Sequence, residues 1–320
     1  MAEDNKIQTV KRAPPPADLP MLGKVDPREI SFIGRTNYVA ALEEKKFIFG
    51  IKRADRRRHL YIIGKSGVGK SKLLELLVRQ DIAYGKGLCF IDPHGDVIEE
   101  ILHFIPENRI EDVYLIDVFD LEKSDPPNLL ANFDLGKLMG ENKIILINLA
   151  KNKISEENFN FLGIALINKI KQAGIDRARM PESSRQDFYL YMDEFQNLVS
   201  GAFESLLSEA GKYGLSVTLA HQYMGQLSSG VRATVLGNVG SIVVFRVGGE
   251  DAQILESELA PIFKIKDMIN LGTQEFYIKL MIDGEVYDPF SAETLKVLSP
   301  NHLSYKDKII DASRLKNQLS

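Results

Sequence analysis

The chain has 320 residues, and its 44% hydrophobic content is enough to build a sizeable core in one large domain or two of ordinary size. Forty basic against 44 acidic residues leave a net charge of -4, so bulk charge neither draws nucleic acid in nor repels it, and any such contact must be local. A single cysteine, Cys89, excludes a disulfide framework and points to a reducing compartment; no apolar run is long enough to cross a bilayer and no signal-peptide core is present, so a cytoplasmic protein without membrane insertion is expected.

Taken in order, residues 1–28 are polar and proline-bearing around Ala13-Pro14-Pro15-Pro16-Ala17, and read as a disordered or extended arm. Ser31 to Arg35 and Lys46 to Ile51 are β-like. The basic cluster from Lys52 to His59 reads equally as a solvated edge or as a contact to DNA phosphates or a neighbouring subunit. Leu60-Tyr61-Ile62-Ile63 is the first apolar core strand. It runs directly into Gly64-Lys65-Ser66-Gly67-Val68-Gly69-Lys70-Ser71, which matches the phosphate-loop pattern G-x-x-x-x-G-K-[ST] at every fixed position. Leu73, Leu74, Leu76 and Leu77 then recur at helical spacing. A strand, a loop and a helix in that order are what phosphate binding requires. Glycines let backbone N–H groups turn inward, and the helix offers its positive dipole end. Lys70 is expected to reach the β- and γ-phosphates of ATP and the Ser71 hydroxyl to ligate Mg²⁺.

Short apolar runs recur at Leu88–Ile91, Val113–Ile116, Ile144–Ile147, Phe188–Met192, Val217–Ala220 and Ile242–Phe245, with helical segments at Glu156–Ala173 and Ala202–Tyr213. Strands apolar on both faces predict an α/β fold of three layers with a central, mainly parallel sheet. Phe276–Ile282 and Glu285–Tyr287 flank Asp283-Gly284 as a C-terminal β-hairpin, and Ser304–Leu319 reads as a surface helix.

Tyr189-Leu190-Tyr191-Met192-Asp193-Glu194 is a Walker-B pattern. Asp193 at the strand end is expected to hold the Mg²⁺ shell and Glu194 to act as general base toward water. Gln222, ending the strand Leu219-Ala220-His221, is a candidate γ-phosphate sensor, with His221 read as structural. Asp92 and His94, in a turn on the same sheet edge, are weaker candidates. No Cys/His cluster has zinc spacing.

The phosphate loop, Asp92-Pro93-His94-Gly95-Asp96, Asp193-Glu194-Phe195-Gln196-Asn197, Ala220-His221-Gln222, Asn238-Val239-Gly240-Ser241 and Phe245-Arg246-Val247-Gly248 follow one another in an order that resembles the TraG/TraD-like conjugative coupling proteins and type IV secretion DNA-binding ATPases of the FtsK-HerA superfamily. The resemblance covers about Phe47 to Ser291. It implies a RecA-like ATPase domain over 29–295, a tail or helix over 296–320, assembly into a hexameric ring, ATP-driven movement of DNA, and secretion-system or relaxosome partners. Relatives carry an all-helical insertion where this chain has only the connector 120–142, and often an arginine where Gly211 stands, the position associated with a finger reaching a neighbour's γ-phosphate. Lys212, Arg232 and Arg246 are the candidate substitutes. Two alternatives stay open: a protein-export or pilus-assembly ATPase with a polypeptide partner, and an ATP-binding module with impaired hydrolysis.

Overall fold

The apolar runs become strands because each buries side chains on both of its faces. In β3 (Leu60–Ile63), Tyr61 and Ile63 enter one hydrophobic cluster and Leu60 and Ile62 the other, so the sheet separates two cores covered by helices. The computed structural model describes residues 10–38, 46–118, 134–149, 151–300 and 303–319.

The remaining strands are β1 (Ile30–Thr36), β2 (Ile48–Lys52), β4 (Gly87–Asp92), β5 (Val113–Asp117), β6 (Ile144–Asn148), β7 (Phe188–Met192), β8 (Leu215–His221), β9 (Ser241–Val244), β10 (Glu275–Lys279), β11 (Met281–Ile282), β12 (Glu285–Val286) and β13 (Phe290–Glu293). The helices are α1 (Lys70–Ala83), α2 (Asp96–Leu102), α3 (Leu135–Gly140), α4 (Glu156–Arg177), α5 (Gly201–Glu209), α6 (Ser229–Asn238), α7 (Gly249–Leu259), α8 (Ile265–Ile269) and α9 (Lys306–Leu319). The large sheet has the order β2-β1-β13-β10-β9-β3-β8-β7-β4-β6-β5. From β9 across to β5 every neighbouring pair is parallel, and from β9 across to β2 every pair is antiparallel. The expected three-layer α/β architecture is therefore present. So is the C-terminal hairpin, where β11 and β12 pair across Asp283 and Gly284, both at positive φ. Among the described residues no helix is long and apolar enough to cross a membrane.

Two expectations need correction. The arm expected over 1–28 lies on the domain from residue 10 onward. Ala13 exchanges hydrogen bonds with Ser291 of β13, Tyr277 donates to the Lys11 carbonyl at 2.9 Å, and Gly50 of β2 donates to the Pro20 carbonyl at 3.1 Å. Leu19 and Met21 are buried. The polar, proline-bearing stretch is held mainly through its backbone, which leaves no hydrophobic periodicity to read; residues 1–9 lie outside the described residues. The basic cluster is the second correction. Arg53 and Arg56 are buried around Asp81 of α1, at 2.5 and 2.9 Å, Arg57 pairs with Asp187 at 2.6 Å, and Lys52 pairs with Asp283 at 2.6 Å. Arg56 also donates to the Tyr191 hydroxyl of β7 at 2.6 Å and lies 4.0 Å over the Tyr189 ring. Only Arg58 of these arginines is exposed. The cluster is thus mainly an internal clamp between the start of β3, α1 and β7. Of the connector 120–142, residues up to 133 lie outside the described residues, and α3 occupies most of the rest.

The tail forms α9 and docks on the outer strand. Ser313 accepts from the Leu115 N–H at 2.7 Å and returns a hydrogen bond to its carbonyl at 3.2 Å, covering the free edge of β5.

Candidate nucleotide site

The phosphate loop leaves the carboxyl end of β3 and closes onto α1, whose first residue is Lys70. Two of its glycines are dictated by geometry. Gly64 sits where a Cβ would meet the Phe245 Cβ at 2.5 Å, and Gly69 holds φ +124° against the Phe245 ring. The buried Phe245, just beyond β9, is therefore the floor that shapes the loop. Further anchors are Lys65 N–H to the Arg246 carbonyl at 2.9 Å and Gln274 N–H to the Val68 carbonyl at 2.9 Å. Lys65, Ser66, Gly67 and Ser71 remain exposed above this floor. The Lys70 ammonium points inside the loop and donates to the carbonyls of Gly64 at 2.7 Å and Lys65 at 3.2 Å. Burial lowers its pKa, against which Glu194 and Asp193 act as neighbouring negative charges.

β8 hydrogen-bonds β3 on one side and β7 on the other, so an additional strand separates the phosphate-loop strand from the strand that ends in the two carboxylates. Asp193 is 7% exposed. Its Oδ1 accepts the Glu194 N–H at 2.9 Å. Burial, with the charges of Glu194 and Asp92, pushes its pKa from 3.8 up to about 7. A buried carboxylate beside two others is short of a cation, and its oxygens and the exposed Ser71 hydroxyl are donors of the hard kind that Mg²⁺ takes, the ion keeping several waters and drawing its remaining ligands from phosphate. Among the described residues, no group of three or more His, Cys, Asp or Glu side chains is arranged to hold a metal ion.

Glu194 adopts the left-handed conformation, φ 45° and ψ 46°, which is costly for a residue with a long side chain and is retained here by its surroundings. Gln222 donates to Oε1 at 2.9 Å and Gln196 donates to Oε2 at 2.6 Å, while Asn197 donates to the Glu194 carbonyl through both its N–H, at 3.1 Å, and its side-chain amide, at 2.9 Å. The next residue, Phe195, is fully buried, stacked on Phe203 at 5.4 Å and edge-on to His221 at 4.9 Å. His221 is itself structural, as expected. It is buried against the Tyr61 hydroxyl at 3.0 Å, and burial, with Lys70 nearby, depresses its pKa to about 3.

The structure thus brings Lys70, Ser71, Asp193, Glu194 and Gln222 to one edge of the sheet. Beside them a groove of about 340 Å³ is lined by Lys65, Ser66, Gln222, Tyr223, Gly248 and Asp251. Asp92 has a different role: its carboxylate accepts the N–H groups of His94 and Val97, both at 2.9 Å, capping α2, and the His94 side chain is exposed. Gly211 lies at the opposite edge, in the turn leading into β8, where a Cβ would meet the Arg57 carbonyl oxygen at 2.7 Å. Lys212 is exposed beside it, Arg232 is in the first turn of α6, and Arg246 follows β9 on the phosphate-loop edge. The sequence did not disclose Phe245 as the loop's floor or Gln196 as a partner of Glu194. The only signal for either was membership of the motif strings, which carries no chemistry by itself.

Comparison with known proteins places this geometry among related folds. Residues 187–258, from β7 to α7, match the family described as the TraM recognition site of TraD and TraG. The bacterial conjugative coupling protein TrwBdeltaN70, in its unbound monoclinic form, superposes with a TM-score of 0.60 at 14% identity, covering 79% of this chain and 88% of that one. The plasmid coupling protein TrwB has also been described with ADP and Mg²⁺ (TM-score 0.56, 15% identity, 78% and 89% coverage). With the non-hydrolysable ATP analogue ADPNP the values are 0.58, 15%, 79% and 89%. A search of curated proteins finds no match. The resemblance read from the motifs is borne out in that residues 187–258 match the TraD and TraG segment and the chain shares the α/β fold of TrwB.

Proposed function

We propose that the protein is a cytoplasmic ATPase of the coupling type that assembles into a hexameric ring, binds DNA and moves it with energy from ATP. The observation that carries the hydrolytic part is the Glu194 carboxylate, held on both oxygens at the edge where the phosphate loop, Lys70 and Asp193 converge. Mg²⁺, when bound, supplies neutralisation of the charge that develops on the phosphate oxygens. Ser71 and Asp193 would hold it. The N–H groups from Ser66 to Ser71 and the Lys70 ammonium bind the phosphate chain, with Lys70 exchanging its two loop carbonyls for phosphate oxygens, while the Gly64 and Lys65 N–H groups stay paired with the His221 and Arg246 carbonyls. Glu194 takes a proton from the attacking water, whose oxygen bonds to the γ-phosphorus as the bond to the β-γ bridging oxygen breaks, releasing ADP and phosphate. Gln222, from the end of β8, is placed to feel the γ-phosphate and Glu194 together.

Similarity to TrwB, described as a conjugative and plasmid coupling protein, supports DNA as the cargo, and the TraM recognition segment supports a relaxosome component as partner. ATP turnover measured across protein concentration, with mass determined on the same samples, is expected to rise as rings form and to rise again on adding single- or double-stranded DNA. The DNA effect should fade as salt weakens phosphate contacts. Turnover indifferent to both assembly and DNA would overturn the motor reading and favour a polypeptide cargo or a binding module.

A further inference from the structure

The two amides on Glu194 differ in what holds them. Gln222 belongs to β8's end and faces the groove beside Lys65 and Ser66, where it can exchange partners. Gln196 sits two residues after Glu194 on the 3-10 turn Phe195–Leu198 that Glu194 opens, so the two are covalently close. That turn is pinned from several sides: Phe195 and Leu198 are buried, Asn197 ties back to the Glu194 carbonyl, and Lys151 donates to Asn197 Oδ1 at 2.8 Å.

The other end of the Gln196 amide is informative. Oε1 is buried and has no hydrogen-bond partner among the described residues. Its orientation is not interchangeable with Nε2, because the carboxylate 2.6 Å away only accepts. A buried acceptor left unpaired destabilises a fold, and an apolar side chain of the same length would remove that cost. The amide at position 196 is therefore explained by the hydrogen it gives to Glu194 and not by what it contributes to packing.

We propose that Gln196 is a positioning residue for hydrolysis, fixing the Glu194 carboxylate by its Oε2 so that Oε1 stays aimed toward Gln222 and the phosphate loop; this rests on the reading of Glu194 as the general base. Without it, the carboxylate turns about its last torsion and the base is misplaced, a kind of error that costs on the order of 10- to 100-fold in rate.

The test compares Gln196→Met, of similar length and without a donor, with wild type and Glu194→Gln. For Gln196→Met the melting temperature is expected to be equal or higher, ADPNP binding and the KM for ATP to be preserved within about threefold, and kcat to fall about 10- to 100-fold. Unchanged kcat, or a loss of kcat matched by lost stability or lost ADPNP binding, would overturn the proposal. Gln196→Ala serves as the second variant, and failure of both to fold would assign the residue to the fold and overturn it likewise. The parallel Glu194→Gln arm separates the two levels. If that variant turns over ATP like wild type, it is the base that is wrong; if it is inactive while Gln196→Met is active, only the positioning role falls.

Discussion

At the scale of single residues, Asp193 carries the clearest pH signature. Its pKa in the folded protein is raised to about 7 by burial and by Glu194 and Asp92, so the folded state keeps a proton that the unfolded chain releases near 3.8. Stability from this group is complete below about pH 4 and is lost as pH rises through about 7. Asp193→Asn keeps an acceptor for the Glu194 N–H and carries no charge. Without nucleotide it should be more stable than wild type at about pH 8, by at most ~4 kcal/mol, with the gap closing toward about pH 4. Urea unfolding at both pH values checks this, and an equal gap at the two would show that the charge is not the cause. Gly211 makes the second prediction. A Cβ there would come within 2.7 Å of the Arg57 carbonyl oxygen, so Gly211→Arg should lower the melting temperature by several degrees and leave turnover no higher than wild type. Faster hydrolysis in that variant would show that the turn can open to present a finger.

At the scale of elements, the phosphate loop and the β7 carboxylates could be read from sequence because phosphate chemistry dictates residue type at fixed spacing and both sit against strands that are apolar throughout. The parallel half of the sheet was legible for the same reason: β3 and β7 match their apolar runs from end to end. What escaped reading was held by other means. The segment from Val10 to Leu22 is seated by backbone hydrogen bonds, and Arg53 and Arg56 before β3 pair with Asp81, far along the chain on α1. A charge run looks the same in sequence whether its partner is water or a distant buried carboxylate. That network predicts a large effect. Asp81, which also accepts from the Tyr191 hydroxyl, makes Asp81→Ala a change that would strand two buried guanidinium groups and remove that hydroxyl's acceptor, at ~3–5 kcal/mol in denaturant unfolding, whereas Arg58→Ala, at an exposed neighbour, should cost less than ~0.5 kcal/mol. Similar small losses for both would mean the clamp between β3, α1 and β7 is not under load.

At the scale of the whole molecule, the sheet order puts every element of the proposed chemistry on one edge: the loop after β3, Gln222 after β8, and Asp193 and Glu194 after β7. The opposite edge carries Gly211, Arg57 and Arg58, and both outer strands are covered, β2 by the segment around Met21 and β5 by α9. With its outer strands covered in this way, the domain offers its sheet ends and helices, rather than strand edges, as free surface. We propose that this edge is hydrolytic, with Glu194 as its base. The most direct measurement is ATP turnover by Glu194→Gln beside wild type, with ADPNP affinity determined on the same samples. In Glu194→Gln, turnover is expected to fall at least about 100-fold, with affinity preserved within a few-fold. Turnover equal to wild type, with the nucleotide still bound, would contradict it.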